Sequence, residues 1–215
     1  MIKYESDPKK IRKKSIEHIR KQISLDNLNE NEQQIALRII YTCGDLSLLD
    51  NLRMSENAVE TGLETLEDDY ELLCDTEVVI AALNQKNLQH EPVCLINKAS
   101  VISQAKADKK TRSMLAVDQW KNYLPGSIVL IGNESTALLR LLEKLEEIDD
   151  DDKKPALIIA TPVGFCGATP AKEYLWKQHE NIGIPCITLL GTRGGGMMAA
   201  TIMNTLIDIK KGKLY

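Results

Sequence analysis

The chain has 215 residues, of which 43% are hydrophobic and 27% are charged, with a formal net charge of -4. This length suits one domain with a substantial core, over residues 1–215, better than two full-sized domains. The acidic balance argues against nucleic-acid binding, which needs a basic surface. The first residues carry charges where a signal peptide is apolar, and no stretch approaches the ~20 apolar residues of a membrane span. We therefore expect a soluble, cytoplasmic protein that binds neither nucleic acid nor membrane.

Helices are predicted throughout the first 70 residues. Apolar periodicity indicates one helix over residues 8–22 and a second over residues 30–43, with Asn29 as the N-cap of the second. A third helical run opens at Ser55. We interpret this region as a helical elaboration that precedes the main fold.

From residue 71 onward, short apolar runs alternate with helical stretches. The runs lie at residues 71–75, 92–96, 127–132, 156–162 and 185–191. Unbroken apolar strands separated by helices are typical of a parallel sheet that is covered on both faces. The acidic stretch at residues 146–155 lacks the spacing of a calcium loop, and we interpret it as a solvated connection. The predicted fold class is α/β: one open, mainly parallel sheet flanked by helices, with an N-terminal helical elaboration.

Cysteine and histidine residues are scattered along the chain. The five cysteines include no C-x-x-C pair, and the three histidines lie far apart in sequence. These spacings argue against a disulfide framework and against a metal site. We expect neither a metal nor a cofactor.

Three loops with glycine follow predicted strands, at residues 132–136, 161–172 and 189–204. In open α/β sheets, ligands bind outside the carboxyl ends of the strands, where free N–H groups of helix N-termini favour anions. The loops therefore predict an anion-binding site at one edge of the sheet.

The third loop contains GGGMMA at residues 194–199, which fits the loose dinucleotide fingerprint G-x-G-x-x-G/A. A dinucleotide site also needs a following strand and an acidic residue about 20 positions later. Only one predicted helix, at residues 197–209, separates the glycines from Tyr215. We interpret the match as coincidental and the glycines as allowing close approach of backbone to a ligand with negative groups. An enzyme that uses NAD or FAD remains the third hypothesis.

A series of motifs spans nearly the whole chain. It comprises RIIYTCGD at 38–45, LLCDTEVV at 72–79, TRS at 111–113, IGNESTAL at 131–138, PVGFCGA at 162–168 and GTRGG at 191–195. In this order the motifs closely resemble the precorrin-8X methylmutase family of cobalamin biosynthesis. The resemblance implies an isomerase that moves a methyl group from C-11 to C-12 of precorrin-8X or cobalt-precorrin-8, giving hydrogenobyrinic or cobyrinic acid. It also implies a homodimer with active sites near the subunit interface, which bind a tetrapyrrole edged with carboxylates.

The resemblance places substrate-binding residues at matching positions of this chain. They are Ser15, Arg38, Arg112, Gly164, Gly167, Gly194 and Gly195. Arginine can grip a carboxylate with two hydrogen bonds, and glycine removes side chains that would hold a flat ligand away.

The catalytic residue departs from the family. The family has a histidine in a segment of the form h-H-A-C-G, whereas residues 40–44 read IYTCG, which places Tyr41 at the catalytic position. An imidazole titrates near pH ~6.5 and a phenol near ~10. Acid–base assistance is worth about 10²–10⁴-fold. We predict that Tyr41 donates a hydrogen bond to a ring nitrogen, with Arg38 one turn earlier and close enough to influence its proton.

Two alternatives remain open from the sequence. Tyr41 merely fills the wall of the pocket in one of them. In the other, the chain is a catalytically silent homologue that binds a corrinoid and stores or delivers it.

Overall fold

The computed structural model describes residue 2 and residues 4–214. Its sheet has the strand order β1-β5-β4-β3-β2. Strands β2 to β5 are parallel, whereas β1 pairs antiparallel with β5. The strands are β1 Leu52–Met54, β2 Leu72–Cys74, β3 Ile128–Ile131, β4 Leu157–Ala160 and β5 Cys186–Leu189. The predicted α/β class with a mainly parallel sheet is confirmed.

Helices cover both faces of the sheet. They are α1 Pro8–Arg20, α2 Glu30–Cys43, α3 Ala58–Thr65, α4 Glu77–Ala82, α5 Ala99–Asp108, α6 Arg112–Val117, α7 Ser135–Glu146, α8 Ala168–Ile182 and α9 Gly196–Lys210. Buried residues of α1 to α4 and α9 form one core layer, and those of α5 to α8 form the other. Because both faces are covered, every residue of β2 to β5 is buried, which explains their unbroken apolar runs.

Helix α2 has the bounds that the sequence predicts, and its ends explain why. Asn29 accepts a hydrogen bond from the backbone N–H of Glu32, whose side chain accepts one from the N–H of Asn29. This reciprocal pair satisfies free donors at the helix start. At the other end, Gly44 adopts a left-handed conformation with φ of 65° and stops the helix. Tyr41 therefore lies in the last turn of α2.

One predicted strand was wrong, and one strand was not predicted. Residues 92–96 do not form a strand: Val93 exchanges two backbone hydrogen bonds with β2, and the chain then turns before α5. Strand β1 was not predicted, because its three residues include a polar Arg53 and give no apolar run. Because β1 lies at the edge of the sheet, its residues are less completely buried than those of the central strands, and its sequence need not be an unbroken apolar run.

The remaining boundaries shift by a few residues. Helix α1 ends at Arg20, and α3 begins at Ala58 because Asn57 is left-handed, with φ of 61°. Residues 147–156 connect α7 to β4 through a short 3-10 turn at Asp151–Lys153, as the loop prediction required. No helix in the described part of the chain has both the length and the apolar character to cross a membrane.

Candidate active site

The loops after β4 and β5 interlock at the carboxyl edge of the sheet. The backbone N–H of Gly195 donates to the carbonyl of Thr161 at 2.7 Å, and the N–H of Gly164 donates to the carbonyl of Thr192 at 3.0 Å. Thr161 also donates its hydroxyl to the carbonyl of Gly195. These bonds fix the two glycine loops as one unit.

Glycine is required at position 194 for a structural reason that the sequence did not show. A Cβ at this position would overlap the backbone carbonyl of Thr161 and crowd that of Pro162. Gly195 differs, because its φ of 124° disfavours other residues while the space beside it is open. One glycine thus lets the loops pack together, and the other permits a backbone conformation that other residues rarely adopt.

An open cleft of about 680 Å³ lies where α1 meets the end of α2. It is lined by Lys14, Ser15, His18, Ile19, Gln22, Ile40, Tyr41, Gly44 and Leu46. Ser15 donates its hydroxyl to the carbonyl of Ile11 at 2.9 Å. The predicted residues Ser15 and Tyr41 therefore share one cavity, although 26 positions separate them in sequence.

Arg38 lies against the half-buried Tyr41. The carbon that carries its guanidinium nitrogens is 5.9 Å from the centre of the Tyr41 ring, within the range of a cation–π interaction. The predicted proximity of these two side chains is confirmed.

The glycine loop is tied to the end of α2 by Arg193. Its guanidinium forms an ion pair with Asp45 and donates to the hydroxyl of Ser47 at 2.8 Å. Hydrogen bonds from Ser47, together with the charge of Arg193, lower the pKa of Asp45. Because Asp45 follows Gly44, this contact couples the wall of the cleft to the loop after β5.

Lys172 holds the same loop from inside. This side chain on α8 is fully buried, and its ammonium donates to the carbonyl of Arg193 at 2.6 Å. Burial lowers the pKa of Lys172 to about 8. The bond fixes the backbone that leads into Gly194 and Gly195.

Asp75 fixes the loop after β3. Its buried carboxylate accepts hydrogen bonds from the backbone N–H groups of Gly132, Asn133 and Glu134 at 3.1, 2.8 and 2.9 Å. Burial raises the pKa of Asp75, and the three hydrogen bonds oppose that shift. The carboxylate thus accepts hydrogen bonds from backbone N–H groups near the start of α7 that lack a partner within the helix.

Arg112 lies farther along the same edge. It begins α6 and donates to the side-chain oxygen of Asn97 at 3.1 Å. The preceding Thr111 contacts Thr136, near the start of α7, at 2.8 Å. Ser135 in turn donates to the carbonyl of Cys166, beside Gly167. A series of contacts therefore leads from the N-terminus of α6 through both glycine loops to the end of α2.

Comparison with known proteins adds an independent observation. Residues 10–209 match the family model described as precorrin-8X methylmutase. The chain belongs to the precorrin-8X methylmutase family. A precorrin-8X methylmutase of Pseudomonas aeruginosa is 36% identical over 208 residues, which cover 96% of this chain and 98% of the relative. A cobalt-precorrin-8 methylmutase of Leptospira interrogans is 31% identical over 204 residues, covering 92% and 91%.

Solved structures of methylmutases agree with this membership. A crystal structure titled as the precorrin-8X methylmutase of Thermus thermophilus superposes with a TM-score of 0.83 at 28% identity. The match covers 96% of this chain and 98% of that one. The methylmutase fold thus extends over nearly the whole molecule.

Sequence reasoning selected some of the residues that form this candidate site. It selected Ser15, Arg38 and Tyr41, which the structure brings together, and Arg112 with the four glycines, which lie along the adjoining edge. It missed side chains that hold the loops, namely Asp45, Asp75, Lys172 and Arg193. Asp75 carried a usable signal, since it directly follows a buried strand. Lys172 carried none, because a lysine on a helix is usually exposed.

Proposed function

We propose that the chain is an isomerase of cobalamin biosynthesis that moves a methyl group from C-11 to C-12 of precorrin-8X or cobalt-precorrin-8. The products are hydrogenobyrinic acid and cobyrinic acid, respectively. The observation that carries the proposal is the cleft that both Ser15 and Tyr41 line, in a chain whose family match spans residues 10–209.

The proposed substrate is a large ring edged with carboxylates. Positive charge comes from Lys14, which lines the cleft, from Arg38 beside Tyr41, and from Arg112 at the start of α6. The backbone at Gly164 and Gly195 has positive φ angles that favour glycine. Gly167 adopts a positive φ of 81° at the start of α8, where helix N–H groups favour an anion. In this arrangement Arg38, Arg112 and Ser15 bind the edge of the macrocycle, and the glycine loops with Gly194 support it.

Tyr41 contributes a phenol rather than an imidazole. We assign it a hydrogen bond to a nitrogen of the macrocycle. Its ring lies against the Arg38 guanidinium on one side, and its hydroxyl borders the cleft. A hydrogen-bond donor placed where charge develops stabilises the transition state without itself losing a proton.

The assembly and location follow from the same proposal. We assign the protein to the cytoplasm, where thiols stay reduced, and all five cysteines are free. A homodimer is supported by the loop after β4, on which Phe165 is 99% exposed next to the site. A second copy of the chain that covers this loop would place its surface beside the cleft.

The decisive experiment incubates the purified protein with precorrin-8X, and separately with cobalt-precorrin-8. The visible spectrum is followed for conversion to the corrin product. We expect turnover with at least one of the two substrates. Tyr41→Phe, which keeps the ring and removes the hydroxyl, should lower kcat while substrate affinity changes little.

Each outcome separates the hypotheses that the sequence left open. A spectral change on binding without product would identify a corrinoid-binding protein that lacks the reaction. If Tyr41→Phe leaves turnover unchanged, Tyr41 only lines the cleft and its hydroxyl has no role in the reaction. Absence of both binding and turnover would contradict the proposed function.

A further inference from the structure

Helix α1 presents a row of polar side chains to the cleft that contains Tyr41. Ser15 and His18, three residues apart, lie on one face of α1, and Gln22 follows shortly after the helix ends at Arg20. Ile19, on the same face, is buried and lines the cleft as well. The imidazole of His18 thus borders the same space as the phenol of Tyr41.

The lining of this cleft offers few groups for proton transfer near neutral pH. Its side chains with exchangeable protons are Lys14, Ser15, His18, Gln22 and Tyr41. An ammonium or a phenol typically titrates near pH ~10, and a hydroxyl or amide does not titrate in the physiological range. Imidazole alone changes its charge between about pH 5 and 8.

We propose that His18 is the proton-transferring residue of this chain, acting from α1 on the macrocycle whose ring nitrogen Tyr41 contacts. The proposal rests on the isomerase function above and names a residue that the family motifs do not contain. The imidazolium of His18 donates a proton to the macrocycle. The bond from C-11 to the methyl carbon breaks as the bond from C-12 to that carbon forms, with the electrons supplied by the conjugated ring. The proton then returns to the imidazole, so the isomerisation consumes none.

The position of His18 agrees with this role. It lies in the last turn of α1, and its side chain is exposed to the open cleft rather than packed in the core. The helix itself is anchored by the buried Ile16 and Ile19, so the imidazole is mounted on a fixed element. A macrocycle that occupies the cleft would cover it and exclude water from the proton transfer.

The test is a double-mutant cycle between positions 18 and 41. His18→Gln removes the imidazole and retains a polar side chain of similar length, and Tyr41→His supplies an imidazole on the other wall. All variants are assayed with precorrin-8X and cobalt-precorrin-8 for kcat, and for affinity by spectral titration. We expect His18→Gln to lower kcat by about 10²-fold or more while affinity changes less than about threefold. With Tyr41→His present, the same His18→Gln change should cost less than about threefold in kcat.

The control is His90→Gln. His90 is an exposed histidine that pairs with Asp69 at 2.6 Å, away from the cleft, and its replacement should leave kcat unchanged. Circular dichroism of each variant verifies that it folds.

The remaining outcomes overturn the proposal in distinguishable ways. If the unmodified chain converts the substrate and His18→Gln does so equally well, His18 has no catalytic role, and the isomerase function stands. An equal loss in the presence and absence of Tyr41→His assigns His18 to binding or structure. If the unmodified chain binds substrate without turnover, both the role of His18 and the isomerase function fail.

Discussion

Lys172 keeps a charged group inside the protein, next to the glycine loop of the candidate site. The side chain is fully buried and donates to the carbonyl of Arg193. Burial of an ammonium disfavours its charged form, which is why the pKa of Lys172 falls to about 8. The hydrogen bond to the loop therefore has a cost in desolvation, and that cost depends on pH.

The sign of this dependence follows from proton binding in the two states. An unfolded lysine has a pKa of about 10.4, so between pH 8 and 10 the unfolded chain holds a proton that the native Lys172 has released. The contribution of Lys172 to stability therefore rises with pH across this window. Below pH 8 both states are protonated, and the contribution is constant.

We predict that Lys172→Met reveals this slope. The free energy of unfolding of the wild type, minus that of the variant, should increase between pH 7 and pH 10. Urea denaturation at several pH values measures it. Lys177→Met, on the exposed face of the same helix, should show no such slope. A difference for Lys172→Met that stays flat with pH would mean that the ammonium is not buried in solution.

Asp75 has the opposite role to Lys172. Its buried carboxylate accepts hydrogen bonds from backbone N–H groups, whereas the Lys172 ammonium donates to a backbone carbonyl. Three N–H groups of the loop after β3 point at its two oxygens. Together, Asp75 and Lys172 hold two neighbouring loops with groups that form no ion pair with each other. Each loop is therefore fixed by a separate contact.

Among the secondary-structure elements, the segment that follows β4 and the loop after β5 pack closely together in the candidate site. Gly194 lies where any side chain would overlap the carbonyl of Thr161. The hydrogen bond between Gly195 and Thr161 depends on that approach. The start of α9 is thereby fixed to the end of β4.

We predict that Gly194→Ala displaces this loop and weakens binding of precorrin-8X by at least about tenfold, as measured by spectral titration. Overpacking of this kind typically also costs about 1–3 kcal/mol of stability. The control is Gly183→Ala at the end of α8, where φ is 75° and the surrounding space is open. That change should cost about 1–2 kcal/mol and leave affinity intact. Unchanged affinity in Gly194→Ala would show that the loop does not bind the substrate.

At the scale of the whole molecule, the exposed Phe165 bears on the proposed homodimer. It lies between Gly164 and Gly167 in the loop after β4, and Val163 beside it is also exposed. Large apolar side chains grouped at one edge are typical of an interaction surface. We therefore place Phe165 in the interface of the proposed homodimer.

We predict that Phe165→Ser shifts the protein toward monomer, as measured by sedimentation velocity over a range of concentrations. Ile102→Ser serves as the control, because Ile102 is 43% exposed on α5 and belongs to another surface. It should leave the sedimentation coefficient unchanged. Equal sedimentation of Phe165→Ser and the wild type would exclude this loop from the interface.

Much of the fold could be predicted because local patterns and burial agree. The apolar runs at β2 to β5 are buried on both faces, and α2 carries both of its end signals in its own sequence. Strand β1 could not be predicted, because it exists only through its antiparallel pairing with β5. Residues 92–96 have the composition of a strand, yet they pair with β2 at a single position.

The sequence by itself determined the α/β class, the order of the motifs and the tyrosine at position 41, because these depend on residue identity and short-range periodicity. Only the tertiary structure decided that His18 shares a cleft with Tyr41, that Lys172 is buried against the glycine loop, and that Gly194 is required by the carbonyl of Thr161. The physical reason is common to all three. Each joins residues that lie at least 21 positions apart in sequence, and such proximity is fixed by how helices and loops pack on the sheet rather than by local sequence.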